Sequence, residues 1–259
     1  MKTILSIALL SISSFSVSAY QTQTSQTQSI NNNLTSDFVE RQVSKSMSIG
    51  RAVKSIISHY PHETETVVST ALDLYPDRYK EIIHAAISAQ PAMTETVVTV
   101  AINKGITSCS SVVETAIAAE PSYVDFVVNA AANTTPNELD EIVRVAVITE
   151  PDSADYIVQT LAQSHPNRIA EILKSAVNAV PFVGEYMVDA LLAVFPGKAE
   201  KVVTTAVREV NSENEYMRKI LKSASDAGVK KDDLMIYAKN AGADEEQIEI
   251  ILSSVNESN

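Results

Sequence analysis

Aliphatic pairs recur along most of the chain with a 15-residue period. Each pair is followed four residues later by a second apolar pair that often begins with alanine, as Val67-Val68 is followed by Ala71-Leu72. These spacings place the apolar side chains on one side of an α-helix, and the sequence lacks the period-two alternation of a half-buried strand. Although Val-Val doublets favour strands, the abundant alanine favours helix. The pattern therefore predicts a series of short amphipathic helices.

Proline occupies the same phase of nearly every unit. Successive prolines are separated by one 15-residue period, or by two such periods where one position is skipped and holds Ile106. The nine prolines are Pro61, Pro76, Pro91, Pro121, Pro136, Pro151, Pro166, Pro181 and Pro196. Because proline interrupts a helix interior, each helix can run for only about 11 residues or ~16 Å, a length that is marginal for an isolated helix in water. Such helices have to stack on their neighbours, which indicates a tandem array rather than an enzyme domain with one core.

Alternate units differ in their polar residues, so the true repeat is a 30-residue pair of units. We number each unit from its proline as position 0. In every second unit position 4 is acidic, and in the later ones position 5 is aromatic. The acidic ladder consists of Glu65, Glu95, Asp125, Asp155, Glu185 and Glu215, and the aromatic ladder consists of Phe126, Tyr156, Tyr186 and Tyr216. The two classes of helix are expected to line opposite faces of the array.

These periods predict an all-α fold. We expect a right-handed α-solenoid of short antiparallel helices, in which 15-residue helical units pair into 30-residue α/α repeats, closed by a helical C-terminal cap. Over residues 46–225 this architecture resembles the helical-repeat class that includes tetratricopeptide and HEAT proteins. The chain lacks the tetratricopeptide period of about 34 residues and its Trp/Leu/Gly/Tyr signature, so the resemblance implies a kind of fold and no functional residues.

The two ends of the chain predict the remaining domain organisation. Lys2, an apolar run diluted with serine and the small residues before Tyr20 are typical of a signal peptide. The predicted segments are a signal peptide at 1–19, a disordered Gln/Thr/Ser/Asn leader at 20–36, N-terminal capping helices at 37–60, the α-helical repeat array at 61–225, and a C-terminal helical cap with a short tail at 226–259. We therefore expect an exported protein, periplasmic or extracellular, without stable membrane insertion after the signal is removed.

Charge and motif content restrict the possible functions. The chain has 32 acidic and 20 basic side chains, a net charge of −12, which disfavours nucleic acid and anionic lipid as partners. Its single cysteine, Cys109, excludes an internal disulfide. The sequence contains no Cys/His cluster with zinc spacing, no phosphate-binding glycine loop and no nucleophile elbow. We expect a protein that is not an enzyme and that uses no cofactor and no metal.

The two ladders are the candidate ligand face, and a local explanation competes with that role. If position 1 is the helix N-cap, as Ser122 would be, an acid at position 4 completes a capping box, and a ring at position 5 can staple onto the proline. Carboxylates beside tyrosines are also what a peptide or sugar groove uses. The sequence therefore predicts a non-catalytic binding or scaffold module for a protein or a cationic polymer. The alternative is a structural or assembly component of the cell envelope or surface matrix without a small-molecule site.

Overall fold

The computed structural model describes residues 35–210 and 214–256, with side chains up to residue 253. Within these ranges the chain forms fifteen α-helices and no strand, which confirms the all-α prediction through every Val-Val doublet. The helices are α1 (35–46), α2 (Ile49–His59), α3 (Thr64–Leu74), α4 (Tyr79–Ala89), α5 (Thr94–Lys104), α6 (Cys109–Ala119), α7 (Val124–Thr134), α8 (Leu139–Thr149), α9 (Ala154–Ser164), α10 (Ile169–Ala179), α11 (Gly184–Val194), α12 (Ala199–Val210), α13 (Asn214–Asp226), α14 (Lys231–Asn240) and α15 (Glu245–Asn256). The predicted signal peptide and nearly all of the predicted leader lie outside the described residues. The first two residues of α1, 35 and 36, are the last two of the predicted leader.

Each proline opens a single 3-10 turn that continues directly into an α-helix. At the α7–α8 joint, the residue before the proline, Thr135, lies outside the α-helical region (φ −130°, ψ 67°), which the proline ring disfavours at that position. Its N–H donates to the carbonyl of Ala131 at 2.8 Å, and its own carbonyl accepts from the N–H of Glu138 at 2.9 Å. One residue thus completes the hydrogen bonding of both helices. Pro136 is the first residue of the turn, where its missing N–H costs nothing.

Between α2 and α12 one joint, that of α5 and α6, has no proline and uses a different pair of end signals. Gly105 ends α5 in the left-handed conformation (φ 61°), and its N–H donates to the carbonyl of Ile102 at 3.0 Å. Ser108 then caps α6, because its Oγ accepts from the N–H of Ser111 at 3.2 Å. A glycine stop and a serine start therefore replace the turn that proline supplies elsewhere.

The predicted apolar stripe forms the core. Positions 6, 7, 10 and 11 are buried in α3 to α12 except for the partly buried Ile102, and Val127, Val128, Ala131 and Ala132 are 0 % exposed. The same positions are buried in α2, where the apolar residues are Ala52, Val53, Ile56 and Ile57. The repeat pattern thus extends one unit before residue 61, in a unit whose position 0 is Ser46 rather than proline.

Alternate helices pack side by side in two rows. We call α3, α5, α7, α9, α11 and α13 the odd row, and α2, α4, α6, α8, α10, α12 and α14 the even row. Contacts within a row are more extensive than most contacts between consecutive helices, and every extensive helix–helix contact in the described ranges joins helices one or two apart in sequence. This neighbour-to-neighbour packing of equal helices is that of a helical repeat.

Consecutive helices cross rather than run antiparallel at the joint between α10 and α11. The chain turns by 114° between Pro166–Ala179 and Pro181–Val194, less than the full reversal that an antiparallel pair requires. A connection of one residue, Val180, is too short for a hairpin. In the described part of the chain no single helix has the length and apolar content to cross a bilayer, and only this bent pair meets that requirement when taken together.

We predict that Gly105→Ala lowers stability by about 1–2 kcal/mol, because a Cβ is strained in the left-handed conformation that ends α5. Gly197→Ala is the matched control, since Gly197 also has open space around its Cα but lacks a positive φ; we expect it to be neutral or stabilising by less than about 1 kcal/mol. Urea unfolding followed by circular dichroism gives the midpoints. Equal midpoints for the two variants would contradict the assigned role of Gly105.

Candidate functional site

The structure places both ladders in the first turns of the odd-row helices. The acid is the second residue of its α-helix and the ring is the third, as Asp125 and Phe126 are in α7. Glu65, Glu95 and Glu215 are exposed, whereas Asp125, Asp155 and Glu185 are half-buried. The rings of Phe126, Tyr156 and Tyr186 are 45 %, 46 % and 60 % exposed, and Tyr216 packs against the core. Most of the ladder residues are therefore open to solvent on one row.

The capping-box explanation of the acids is wrong. Because proline is the first residue of the 3-10 turn, the N-cap is the residue before it, and position 1 lies inside the turn. Neither the turn Pro121–Tyr123 nor α7 has a side-chain cap, and the Oγ of Ser122 donates to Glu120 at 2.5 Å instead. The staple fails for the same reason, since proline is not the residue before the cap. The position-4 acids retain only the general preference of carboxylates for the first turn of a helix.

Neighbouring rungs of the two ladders touch each other. The Tyr156 hydroxyl donates to Asp125 Oδ2 at 3.1 Å, from α9 to α7 across 31 residues. The negative charge of Asp125 raises the pKa of the Tyr156 phenol. The ring of Phe126 lies 5.4 Å from that of Tyr123 in a tilted arrangement. The structure thus joins an acid of one repeat to the ring of the next, on a single surface.

The 31-residue spacing recurs in both rows. Lys104 Nζ lies 2.6 Å from Asp73 Oδ2, and Asn178 Nδ2 donates to Glu209 Oε2 at 2.7 Å, each across 31 residues. A helical side chain leans toward the N-terminus of its own helix, so a spot on one helix is covered by a residue about one position further along on the next. These contacts and that of Tyr156 with Asp125 therefore fall one position beyond the 30-residue period, whereas the bond of Ser48 with Glu81 spans 33 residues.

The C-terminal end of the acidic ladder is partly occupied by a lysine. Lys219 Nζ lies 3.6 Å from Glu185 Oε1 and 3.9 Å from Glu215 Oε1. The side chain of Glu185 is only 17 % exposed, and its Oε2 atom is buried without a hydrogen-bond partner. Glu185 and Glu215 are thus less available to a ligand than the acids of α3, α5 and α9.

From α3 to α11 the odd row has nearly a single sign of charge, whereas α13 adds three basic side chains, Arg218, Lys219 and Lys222. The five 15-residue units that contain α3, α5, α7, α9 and α11, between residues 61 and 195, have nine acidic side chains and one basic one, Lys104. The five intervening units between residues 76 and 210 contain eleven acidic and eight basic side chains. The sequence predicted the position-4 acids, but the shortage of basic residues throughout the odd units is an additional signal, visible once the units are sorted into two classes.

Three grooves lie on the opposite surface, the even row. The first has a volume of about 650 Å³ and lies across α2, α4 and α6. The second, of about 510 Å³, lies across α8 and α10. The third, of about 610 Å³, lies across α10, α12 and α14. The sequence did not predict these grooves. The signal for the first one is small residues at positions 9 and 12 of its even units, Ala85, Ser88, Thr115 and Ala118.

Glu81 links two even-row helices at the wall of the first groove. It accepts from Ser48 Oγ at 2.6 Å and from the Gly50 N–H at 3.0 Å, and it forms an ion pair with Arg78. The hydrogen bond from Ser48 is the largest of the effects that lower the pKa of Glu81. A Cβ at Gly50 would lie 2.7 Å from Glu81 Cγ, so this close approach requires glycine. The charge of Glu81 is therefore satisfied within the protein.

A carboxyl pair marks the second groove. Asp140 of α8 and Glu171 of α10 share a hydrogen bond, which raises the pKa of Asp140. Arg168 donates to Glu171 Oε2 at 2.7 Å and to the carbonyl of Pro136 at 2.5 Å. The bond from Arg168 is the main reason that the pKa of Glu171 falls to about 2. Glu171 is therefore the ionised partner, and Asp140 holds the proton of the pair in acid.

Comparison with protein-family models, with curated proteins and with solved structures finds no match for this chain. The site is therefore described by its own residues. Within the ranges that the structure describes, no three His, Cys, Asp or Glu side chains are grouped so that they could hold a metal ion. Cys109 is buried, accepts a hydrogen bond from the Thr135 hydroxyl at 3.2 Å, and has its pKa raised by burial.

We predict that Asp140→Asn stabilises the protein at neutral pH by about 0.2–0.5 kcal/mol, because it removes a like-charge contact with Glu171 and keeps a hydrogen-bond donor. Because the folded-state pKa of Asp140 is raised, its contribution to stability is full below its unfolded-state pKa and is lost as pH rises through the folded-state value. The advantage of the variant should therefore disappear in acid. Thermal melts across pH measure it, with Asp189→Asn, an exposed acid inside α11, as the control. A gain that does not change with pH would exclude this explanation.

Proposed function

We propose that this chain is an exported, right-handed α-solenoid that binds a protein or a cationic polymer along its odd row, without catalysis. The observation that carries the proposal is the charge of that row from α3 to α11, where nine acidic side chains stand against one basic. The packing of each helix only on its near neighbours supports a solenoid, because such an array exposes a long surface instead of enclosing one core. Export rests on the predicted signal peptide at 1–19.

The ladders suit a ligand that is long and positively charged. Helices in one row are separated by about 8–10 Å, so the acids form a column with a regular spacing of that size. Lysine or arginine side chains of an extended partner can pair with successive carboxylates, and the exposed faces of Tyr156 and Tyr186 can take part in cation–π contacts. Each surface ion pair contributes less than about 1 kcal/mol, so affinity comes from several rungs acting together and falls with salt.

A structural or assembly role is the second candidate, favoured by apolar side chains at the C-terminal cap. Ile236 and Ile250 are 52 % and 65 % exposed in α14 and α15, at the end of the array. Exposed aliphatic side chains at a solenoid end suit association with another subunit. Sedimentation velocity over a range of concentrations separates the two roles, since association that is lost in Ile236→Gln/Ile250→Gln would favour assembly.

We predict that reversing the charge of three open rungs, Glu65→Lys, Glu95→Lys and Asp155→Lys, weakens binding of a fluorescein-labelled oligolysine peptide by about tenfold or more. The reason is the loss of three attractive contacts and the gain of three repulsive ones. The measurement is fluorescence anisotropy at low salt.

The matched control reverses three exposed acids outside the odd row, Asp77→Lys, Glu138→Lys and Glu249→Lys. It changes the net charge by the same amount. If both triple variants weaken binding equally, the attraction is a property of the whole protein, and the odd row is not a binding face.

A further inference from the structure

The three grooves of the even row lie in series along it, and we call this series the trough. They are lined by the same helix positions, 8, 9 and 12, in successive even units, as by His84, Ala85 and Ser88 in α4 and by Glu114, Thr115 and Ala118 in α6. The second groove continues the series with Arg144, Ile148 and Ser175, and the third with Thr204, Thr205 and Arg208. The trough therefore runs along the row, across the axes of its helices.

Cations without an acidic partner lie at both ends of this trough. Arg51, Lys54 and Lys80 line the first groove, and Lys198, Lys201 and Arg208 line the third. All six are exposed, and none forms an ion pair within the described part of the chain. Arg208 donates to the carbonyl of Asn240 at 3.4 Å, a contact that leaves its charge without a counterion.

The carboxylates that share these end grooves are few. Glu81 is already engaged by Ser48, Gly50 and Arg78. This leaves Glu114 at the far wall of the first groove and Glu200 in the third. In a protein with 32 acidic and 20 basic side chains, two groups of three such cations in grooves are a local reversal of the overall charge.

The middle of the trough combines the aliphatic side chains of Ile148 and Ala179 with the carboxylates of Asp140 and Glu141. Ile148 of α8 is 49 % exposed and faces the groove beside Ala179 of α10. The cation there, Arg144, donates to both oxygens of Glu141 at 2.7 and 2.5 Å, so it is already paired. The second groove therefore offers an aliphatic contact rather than a free charge.

We propose that the even row binds an extended polypeptide with acidic side chains near both ends and an aliphatic side chain in the middle. The two cation groups fit the acidic ends, and Ile148 with Ala179 fits the apolar centre. The Thr115 and Thr204 hydroxyls already donate to the carbonyls of Ser111 and Tyr237, so each offers only its acceptor side to a backbone N–H of such a chain.

A polypeptide fits this lining better than other anionic polymers. Nucleic acids and sugars are commonly held by aromatic side chains on which their rings stack, and none of the side chains that line the three grooves is Phe, Tyr or Trp. The net charge of −12 adds a general repulsion of long polyanions, which a peptide with only a few acids largely avoids.

The spacing of the helices sets the length of the ligand. From α2 to α12 the even row has five helix-to-helix steps of about 8–10 Å each, or roughly 45 Å. An extended chain covers that distance with about 14 residues at ~3.3 Å per residue. A compact anion cannot reach both cation groups at once.

The test uses a fluorescein-labelled synthetic peptide of about 14 residues, with three glutamates at each end and a Leu/Thr centre, in fluorescence anisotropy with the full chain. Arg51→Gln/Lys54→Gln/Lys80→Gln should weaken binding by about tenfold, and so should Lys198→Gln/Lys201→Gln/Arg208→Gln. The control is Arg41→Gln/Lys45→Gln/Lys231→Gln, which removes three exposed cations outside the trough and should change affinity by less than about twofold. Circular dichroism melts confirm that the variants fold, as exposed substitutions should.

Several results would overturn the proposal. If the control variant weakened peptide binding equally, the effect would be due to the net charge of the protein and not to the trough. Equal binding of a peptide with the same composition but with its glutamates in the centre would contradict the proposed placement of acidic side chains at the two ends. Equal affinity for glutarate would identify the site as a pocket for small anions. An oligolysine peptide should not displace the acidic peptide, so this site and the odd-row site can fail independently.

Discussion

The joint at each proline limits every helix of the array to the same short length. The residue before proline closes one helix with its N–H and opens the next with its carbonyl, as Thr135 does. Proline fixes the turn and prevents the two helices from merging into one. A helix of 11 residues cannot remain folded alone in water, so its apolar stripe has to be covered by the helices before and after it. The two rows and their shared core follow from this constraint.

The sequence predicted those features that depend on local chemistry. The proline phase and the paired aliphatic residues predicted the helices and their buried positions, and the all-α fold is confirmed. The prediction was incomplete at α2, which has a repeat-like core without proline, and at the α5–α6 joint, where Gly105 and Ser108 do the work of a proline turn. It was wrong about the capping box, because the 3-10 turn places the cap two residues earlier than the helix pattern suggests, at Glu120 instead of Ser122.

The features that the sequence did not predict depend on how helices are placed against one another. The hydrogen bond from Tyr156 to Asp125 joins residues 31 apart. This spacing arises because helical side chains point toward the N-terminus of their own helix. The even-row trough requires small side chains from three helices to lie in line, although each of them is an ordinary surface residue in its own unit. The two rows consequently offer different chemistry, with carboxylates and tyrosines on one and grooves with free cations on the other.

Because no extensive contact among the described residues spans more than two helices, each pair of helices packs mainly on the pairs next to it. Duplication or loss of one 30-residue segment at a joint would leave the environment of every other pair almost unchanged. The number of pairs would then set the length of both surfaces. An array of this kind can adjust to longer or shorter ligands by recombination within its own gene, without a new fold and without a redesigned core.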